Sequence, residues 1–428
     1  MREGHLRQIL STLAAAALLL AGAAVSAQAQ VLFWSNQAAP VESQQMMRDQ
    51  VLKNFPGGVD FRGQDQGPYI TRIQAEARAG SGQIGVVGGL HGDLSSFPDN
   101  WADLSEFDLT GINVSPAFMK LGKLGTSEQK FIPWMQANYV MAANKQALRY
   151  LPAGADINNL TYDQLIEWAK SMAEQTGSPK FGFPAGPKGL KHRFFQGFLL
   201  PAYTGSEVSK FRTPEAVTAW TKFRELWQYT SPASTNFDFM QEPLLSGNVW
   251  VAFDHISRLR DAFDQKPDAF VAFPAPKGPM GRAFMPVLAG LAVPKWAPDM
   301  RKAKELIKYL LQADQQVATL RAITFFPVTD AALPADLSAS ARALGPAVTA
   351  TTNSPDALPA LLPVGLGDKA GQFNQIYIDT FERIALNNED IKSVLDNEAQ
   401  TLRQLMVNAK APCWLPDADS AGNPCPVH

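Results

Sequence analysis

With 428 residues, 46% of them hydrophobic and 18% charged, the chain is too long for one core and has the balance of a globular protein of two lobes, neither disordered nor membrane-embedded. A formal net charge of −2 leaves no electrostatic footprint for nucleic acid or an anionic membrane surface.

The first 29 residues read as an export signal. Met1 to Gln8 is short and polar with Arg2 and Arg7, Ile9 to Val25 is an apolar run, and Ala27-Gln28-Ala29 has the small-x-small pattern of a cleavage site. Cleavage after Ala29 is expected, giving a periplasmic protein. With no Cys beside that point, lipid attachment is not expected. The alternative, a retained membrane anchor, has no companion run near the ~20 apolar residues that a span requires.

From Val31 the pattern predicts a strand that stops at Ser35-Asn36-Gln37, then a helix from about Glu42 to Phe55 with Met47, Val51 and Phe55 at four-residue spacing. Open α/β sheets bind ligands beyond the carboxyl ends of their strands. Asn36, Gln37 and Glu42 are therefore candidate contacts, although the same residue types also cap helices. Tyr69, Ile73 and Ala77 predict a helix within Phe61 to Ala79. The series Gly80-Ser-Gly82-Gln-Ile-Gly85 matches the dinucleotide fingerprint by letter, but here a helix enters and a strand leaves. That order is the reverse of the one that sets a helix N-terminus against pyrophosphate, so the glycines are read as a helix end and a turn. The following strand delivers His91 and Asp93 to its carboxyl end.

Phe131 to Asn144 is the stretch around which the chain is organised. Its β-forming residues are interrupted by Trp134, Gln136, Asn138 and Tyr139, which an ordinary buried strand would not collect. In an extended chain Trp134, Gln136 and Asn138 share a face. An aromatic plane beside two amides suits a polyhydroxylated ligand, the ring covering C–H faces while the amides bond hydroxyls. The other reading is an irregular strand end whose amides bond neighbouring backbone.

Helical composition follows. Thr161-Tyr-Asp-Gln164 has the capping-box pattern, Leu165, Trp168, Ala169 and Met172 form a core stripe, and Thr213-Pro214-Glu215 opens a further helix. Between these, Lys191 to Gln196 mixes polar and aromatic residues, with His192 and Arg193 placed to face a cleft or cap a helix. A second β-type run, Asn248 to Phe253, ends in Asp254, His255 and Arg258. The strongest helix starts at Asp299, with Met300, Ala303, Leu306, Ile307, Leu310 and Leu311 on one face. Ala322 to Val328, which contains Phe325, breaks the helical run, and a last helix is expected over about Glu389 to Met406.

Cys413 and Cys425 lie among four prolines near the C-terminus. In an exported protein this pair reads as a disulfide, worth roughly 3 kcal/mol in the loop-entropy model. Asp417 to Gly422 imitates a calcium loop but places Ala421 and His428 where ligands are needed. No metal and no cofactor are expected.

In order, these segments resemble the family 1 extracellular solute-binding proteins of ABC importers, the maltose-binding-like group. Phe33-Trp34 resembles that family's opening strand, and Gln74 to Gly82 with the Val-rich run after it resembles its helix, turn and strand, although Gly85 stands where members usually have Asp. Phe131-Ile-Pro133 through Asn144-Lys145 is similar to the passage from a first-lobe strand, past the ligand, to the crossover. Thr161 to Ala169, Ser246-Gly247 through Ala252, Gly290 to Leu311 and Phe326-Pro327-Val328 also match in order, so the likeness covers nearly the whole mature chain. It implies an α/β, two-lobed periplasmic-binding-protein fold with crossover hinge segments. Projected onto this chain, lobe I would hold 30–141 and 290–330, and lobe II 142–289 and 331–412, leaving 413–428 as the disulfide-closed tail.

The implied function is capture of a carbohydrate between the lobes and delivery to the permease subunits of an ABC transporter in the inner membrane. A monomer is expected. Asn36, Gln37, Glu42, His91, Asp93, Trp134, Gln136, Asn138, His192, Arg193, Asp254, His255, Arg258 and Phe325 come from segments of both lobes, and such a site can close on its ligand by hinge motion. Arg193 or Arg258 also matches a phosphate or carboxylate bidentately, which leaves a polyol phosphate as an alternative ligand. The rival class is a secreted glycoside hydrolase, which needs two carboxylates flanking the bond, to be supplied by Asp93 with Glu42 or Asp254. The chain has no Gly-x-Ser-x-Gly elbow, no His-Glu-x-x-His and no phosphate loop, so no enzymatic activity is expected.

Overall fold

A computed structural model describes residues 30–38, 41–114 and 116–428; the expected signal segment lies outside them. Strand β1 (Val31–Ser35) pairs in parallel with β2 (Val59–Gly63) and with β3 (Ile84–Leu90). Parallel neighbours require crossovers. Helical segments at Val41–Val51 and Gln66–Ala79 supply them, burying Met47 and Val51 from one and Tyr69 and Ile73 from the other. Gly80 ends the second helix in the left-handed conformation, φ +62°, and hands the chain to β3, the helix-to-strand order that excludes a dinucleotide loop.

The chain then runs along β4 (Ile132–Ala137) and, after Asn138 alone, along β5 (Tyr139–Asn144). These strands belong to different sheets. In the second sheet the edge strand β6 (Phe181–Gly182) runs parallel to β7 (Val251–His255), which pairs antiparallel with β5, and β5 pairs antiparallel with β8 (Phe270–Phe273). After the short β9 (Arg282–Phe284) the chain returns to the first sheet as β10 (Val287–Ala292), antiparallel to both β3 and β4. β11 (Phe326–Pro327) adds to β4 and completes the order β11-β4-β10-β3-β1-β2. β12 (Ala357–Pro359) pairs with β9 in a separate ribbon. Strand pairing thus puts residues 139–141 in the second sheet and 287–289 in the first. The crossovers fall at Asn138 and at Met285-Pro286, a few residues before the expected limits.

Each sheet has its own apolar packing. Phe33, Phe61, Trp101, Phe131, Trp134, Leu306 and Ile307 belong to the lobe I core. In lobe II, β5 divides its side chains by parity: Tyr139, Met141 and Ala143 pack into an aromatic core with Phe194, Phe223 and Phe253, while Val140 and Ala142 pack opposite, with Leu244, Phe263 and Leu344. A strand covered on both faces reads as an unbroken apolar run. Local signals hold elsewhere. Thr161 and Gln164 form the capping box, and the Asp299 carboxylate accepts from the Lys302 N–H at 2.9 Å to start the helix Met300–Leu310.

Cys413 and Cys425 are disulfide-bonded, and the loop they close touches both lobes. Asp417 accepts hydrogen bonds from the Ser206 hydroxyl and from the backbone N–H groups of Glu207, Val208 and Ser209 in lobe II. Trp414 reaches lobe I, where it stacks on His91 at 5.8 Å and lies so close over Gly125 that a Cβ there would meet its ring at 2.8 Å. Among the described residues no helix is long and apolar enough to cross a membrane, and no group of three His, Cys, Asp or Glu is placed to hold a metal.

Candidate ligand-binding site

Where the two sheets face each other there is a cavity of about 340 Å³. Lobe I lines it with Gln37, just past the end of β1, and with Leu90, His91 and Gly92 at the end of β3. Lobe II lines it with Leu190 and Arg193, and with His255, Ser257 and Arg258 at the end of β7. Tyr139, Met285 to Leu288 and Phe325 contribute from the crossovers, and Leu361 and Leu362 close one side. Three strand ends thus supply most of its polar groups, as the geometry of open sheets requires.

The lobe I wall is an internally bonded circuit. Asn36 Nδ2 donates to Asp93 Oδ2 at 2.7 Å and to Gln66 Oε1 at 2.8 Å, Gln66 Nε2 donates to Asp93 Oδ1 at 2.7 Å, and Gln37 Nε2 donates to Asn36 Oδ1 at 2.8 Å. Asn36 and Asp93 therefore stand behind Gln37 and hold it. Burial raises the Asp93 pKa and the two amides oppose the rise. Beside them His91 stacks on Trp414 and meets Phe131 edge-on at 6.3 Å. Burial pushes its pKa down to about 4, so the ring is neutral near pH 7.

On the lobe II wall His255 Nδ1 accepts from the Ser257 N–H at 3.2 Å and lies 2.7 Å from the Ser257 hydroxyl. The accepting Nδ1 puts the ring proton on Nε2. Burial, with the Arg258 charge second, holds the His255 pKa down to about 3. Arg258 Nη1 donates to the carbonyls of Asp238 at 3.0 Å and Lys188 at 3.2 Å, and its guanidinium lies 4.5 Å over Phe239. Arg193 Nη1 donates to Gln196 Oε1 at 3.1 Å. Tyr139 stands between the lobes, stacked on Phe253 at 5.6 Å and edge-on to His255 at 5.1 Å.

Several sequence candidates lie elsewhere. Glu42 is exposed on the first turn of the helix Val41–Met46, a favourable place for an acid next to a helix N-terminus. Trp134 is fully buried in the lobe I core with its ring 5.4 Å from Phe33. The shared-face argument fails there because both faces of β4 are covered. Gln136 uses its amide to hold the Pro327 carbonyl at 2.8 Å, tying β4 to β11. Asn138 is a crossover pin: its Oδ1 accepts from the Tyr139 N–H at 2.8 Å and its carbonyl accepts from the Ile256 N–H at 3.1 Å.

Asp254 is fully buried, accepting from the N–H groups of Met240 at 2.9 Å and His255 at 2.7 Å; burial lifts its pKa to about 7. His192 is buried beside Arg193, and burial, with the Arg193 charge second, holds its pKa at about 2. Sequence reasoning did not select Tyr139, Ser257 or the aliphatic wall. Tyr139 carried a signal, being in the very stretch that was singled out. The aliphatic residues carried none, since Met and Leu at a sheet end look like core.

A larger groove, of about 1170 Å³, lies on lobe II alone, lined among others by Asn158, Lys277, Arg282 and Arg342. Its Arg282 is already engaged by the carbonyls of Ala275 at 2.8 Å and Asn158 at 2.9 Å. The smaller cavity, by contrast, draws its lining from both lobes and from the crossovers between them.

Comparison with known proteins accords with this architecture. The family model described as bacterial extracellular solute-binding protein matches residues 49–346. No curated protein sequence matches the chain. Among solved structures, the sugar-binding protein MalE from Xanthomonas citri superposes with a TM-score of 0.71 at 15% identity, covering 88% of this chain and 97% of that one. Maltose-bound MalE3 of T. maritima gives 0.68 at 17% identity, covering 88% and 99%. UgpB from Mycobacterium tuberculosis in complex with glycerophosphocholine gives 0.67 at 18% identity, covering 88% and 98%. At such identities the likeness is one of fold, that of two-lobed periplasmic binding proteins. The family match spans well over half of the sequence, and the chain belongs to the bacterial extracellular solute-binding proteins.

Proposed function

We propose that this protein is the periplasmic substrate-binding component of an ABC importer, trapping a small carbohydrate or related polyol between its lobes and presenting the closed form to the membrane permease. The observation that carries this reading is the cavity itself, lined by both lobes and by the crossovers between them. A ligand that bonds Gln37 on one wall and Arg193, His255 or Arg258 on the other gains all of its contacts only when the walls are close, and that differential affinity shifts the population. Turning a 1:99 mixture of closed and open forms into 99:1 takes about 5.5 kcal/mol. Two to four charge-assisted hydrogen bonds at roughly 1.5–3 kcal/mol each supply it.

Maltose and glycerophosphocholine, named with two of the similar structures, support a polyhydroxylated ligand here. A cavity of about 340 Å³ is at the small end of ligand pockets, which favours a short ligand over a long oligosaccharide. Against hydrolysis, the residues lining the cavity include no Asp or Glu, and that chemistry needs two carboxylates across the bond. Binding without chemistry is the better reading.

The test is thermal shift of the mature protein against sugars, polyols and polyol phosphates, with the compounds recovered and identified afterwards. A specific ligand raises the melting temperature by mass action and comes back intact. Consumption of the compound would favour the hydrolase, and a panel without any shift would remove the carbohydrate reading.

A further inference from the structure

Both arginines in the cavity come from lobe II but from separate elements, Arg193 from the helical turn Lys191–Phe194 and Arg258 from the turn Ile256–Arg258. Neither forms an ion pair with a carboxylate among the described residues. Arg193 bonds an amide oxygen and faces Tyr139, and Arg258 bonds two backbone carbonyls. A guanidinium offers five N–H donors in a planar fork, so each retains donors for a ligand.

The nearest acids lie outside the lining and make no hydrogen bond to either guanidinium. The Asn36 and Gln66 amides hold Asp93, two backbone N–H groups hold Asp254, and burial, with Asp417 beside it second, raises the Glu207 pKa. The two histidines of the lining are neutral near pH 7. The lining therefore carries two guanidinium groups and no carboxylate of its own, Asp93 and Asp254 acting on Arg193 and Arg258 only from behind it.

That balance discriminates between ligand classes. A neutral sugar would leave both cations without an anion in contact as the cleft closes and dries, which is costly. A carboxylate would answer one of them. A phosphate monoester carries about −1.5 to −2 charges near pH 7 and three acceptor oxygens, matching two forks that approach from different elements. Inorganic phosphate has the charge but nothing to place against Met285, Leu288, Tyr139 and Phe325, the apolar remainder of the lining. We infer that the ligand is the phosphate monoester of a small sugar or polyol, its phosphate held jointly by Arg193 and Arg258 and its carbon body lying against the apolar wall. This rests on the carbohydrate reading above and narrows it.

The experiment is calorimetric titration of the mature protein with glucose 6-phosphate and glycerol 3-phosphate, with glucose and glycerol as their neutral parents, and with inorganic phosphate. The expected result is that an ester binds at least about 100-fold more tightly than its parent. Arg193→Gln and Arg258→Gln should each cost the ester about tenfold or more and narrow its advantage over the parent. Arg193→Lys and Arg258→Lys, which keep the charge but lose the fork, serve if a Gln variant fails to fold, and should weaken the ester selectively. A neutral sugar binding as tightly as its ester overturns the inference and leaves the carbohydrate reading standing. Inorganic phosphate binding as tightly as the esters also overturns it. Silence from the whole panel, neutral and esterified alike, overturns both.

Discussion

The two walls of the cleft solve the same problem in opposite ways. On lobe I, Asn36, Gln37, Gln66 and Asp93 satisfy one another, and His91 is neutral and stacked on Trp414. On lobe II, Arg193 and Arg258 lean on an amide and backbone carbonyls, with no carboxylate in ion-pair contact among the described residues. A wall that satisfies itself offers shape and costs little to leave open. A wall whose cations have no anion in contact offers affinity. On the function proposed above, lobe II would capture first and lobe I would close, and the contrast can be pressed from several sides.

The largest effect should come from a residue that belongs to neither wall. Trp134→Ala removes a ring packed against Phe33 in the lobe I core, and about 3–5 kcal/mol of stability should go with it in chemical denaturation, while the affinity of the folded protein stays unchanged. A loss of affinity as large as the loss of stability would return Trp134 to the cleft and blur the distinction between core and wall.

Next is the tail, which joins the two sides. Replacing both Cys413 and Cys425 by Ser opens the loop that carries Trp414 to lobe I and Asp417 to lobe II. The expected cost is about 3 kcal/mol, seen as a lower denaturation midpoint. An unchanged midpoint would mean that the strap adds nothing to the fold.

The walls should respond alike to acid, since each buries a neutral histidine. The pKa of His91 is held to about 4 and that of His255 to about 3, against about 6.5 in the unfolded chain. As pH falls below 6.5 the unfolded state takes up these protons first, so each ring removes stability until its folded pKa is reached. Relative to the parent protein, His91→Gln and His255→Gln should each gain about 1.4 kcal/mol per pH unit on acidification, the first down to about pH 4 and the second to about pH 3. Denaturation midpoints measured from pH 7 to pH 4 check this, and parallel curves for variant and parent would refute it.

The smallest effect belongs to Glu42. Exposed and outside the cavity, its change to Gln should move stability by no more than about 0.5 kcal/mol and leave ligand titrations superimposable. A loss of binding would place a carboxylate back on the lobe I wall.

Much of this architecture was legible in residue patterns because the signals were local. The capping box at Thr161, the helix-ending Gly80 and the pairing of Cys413 with Cys425 each depend on neighbours in sequence. The rule that ligands gather beyond strand ends pointed to Gln37, His91, His255 and Arg258, which one cavity collects. The stretch Phe131 to Asn144 divides between the two sheets. Parity along it assumed one sheet with one wet face, whereas the chain changes sheets at Asn138, so Trp134 enters a core, Gln136 binds the Pro327 carbonyl and Tyr139 reaches the cavity. Which aliphatic residues would form the cavity wall depends on how two distant sheets meet, and no local pattern encodes that.

The trap itself is tested most directly by small-angle scattering of the mature protein, empty and saturated with the compound that raises its melting temperature most. Closure of lobe I over ligand held on lobe II predicts a smaller radius of gyration in the saturated sample. Profiles that coincide at proven saturation would contradict the account.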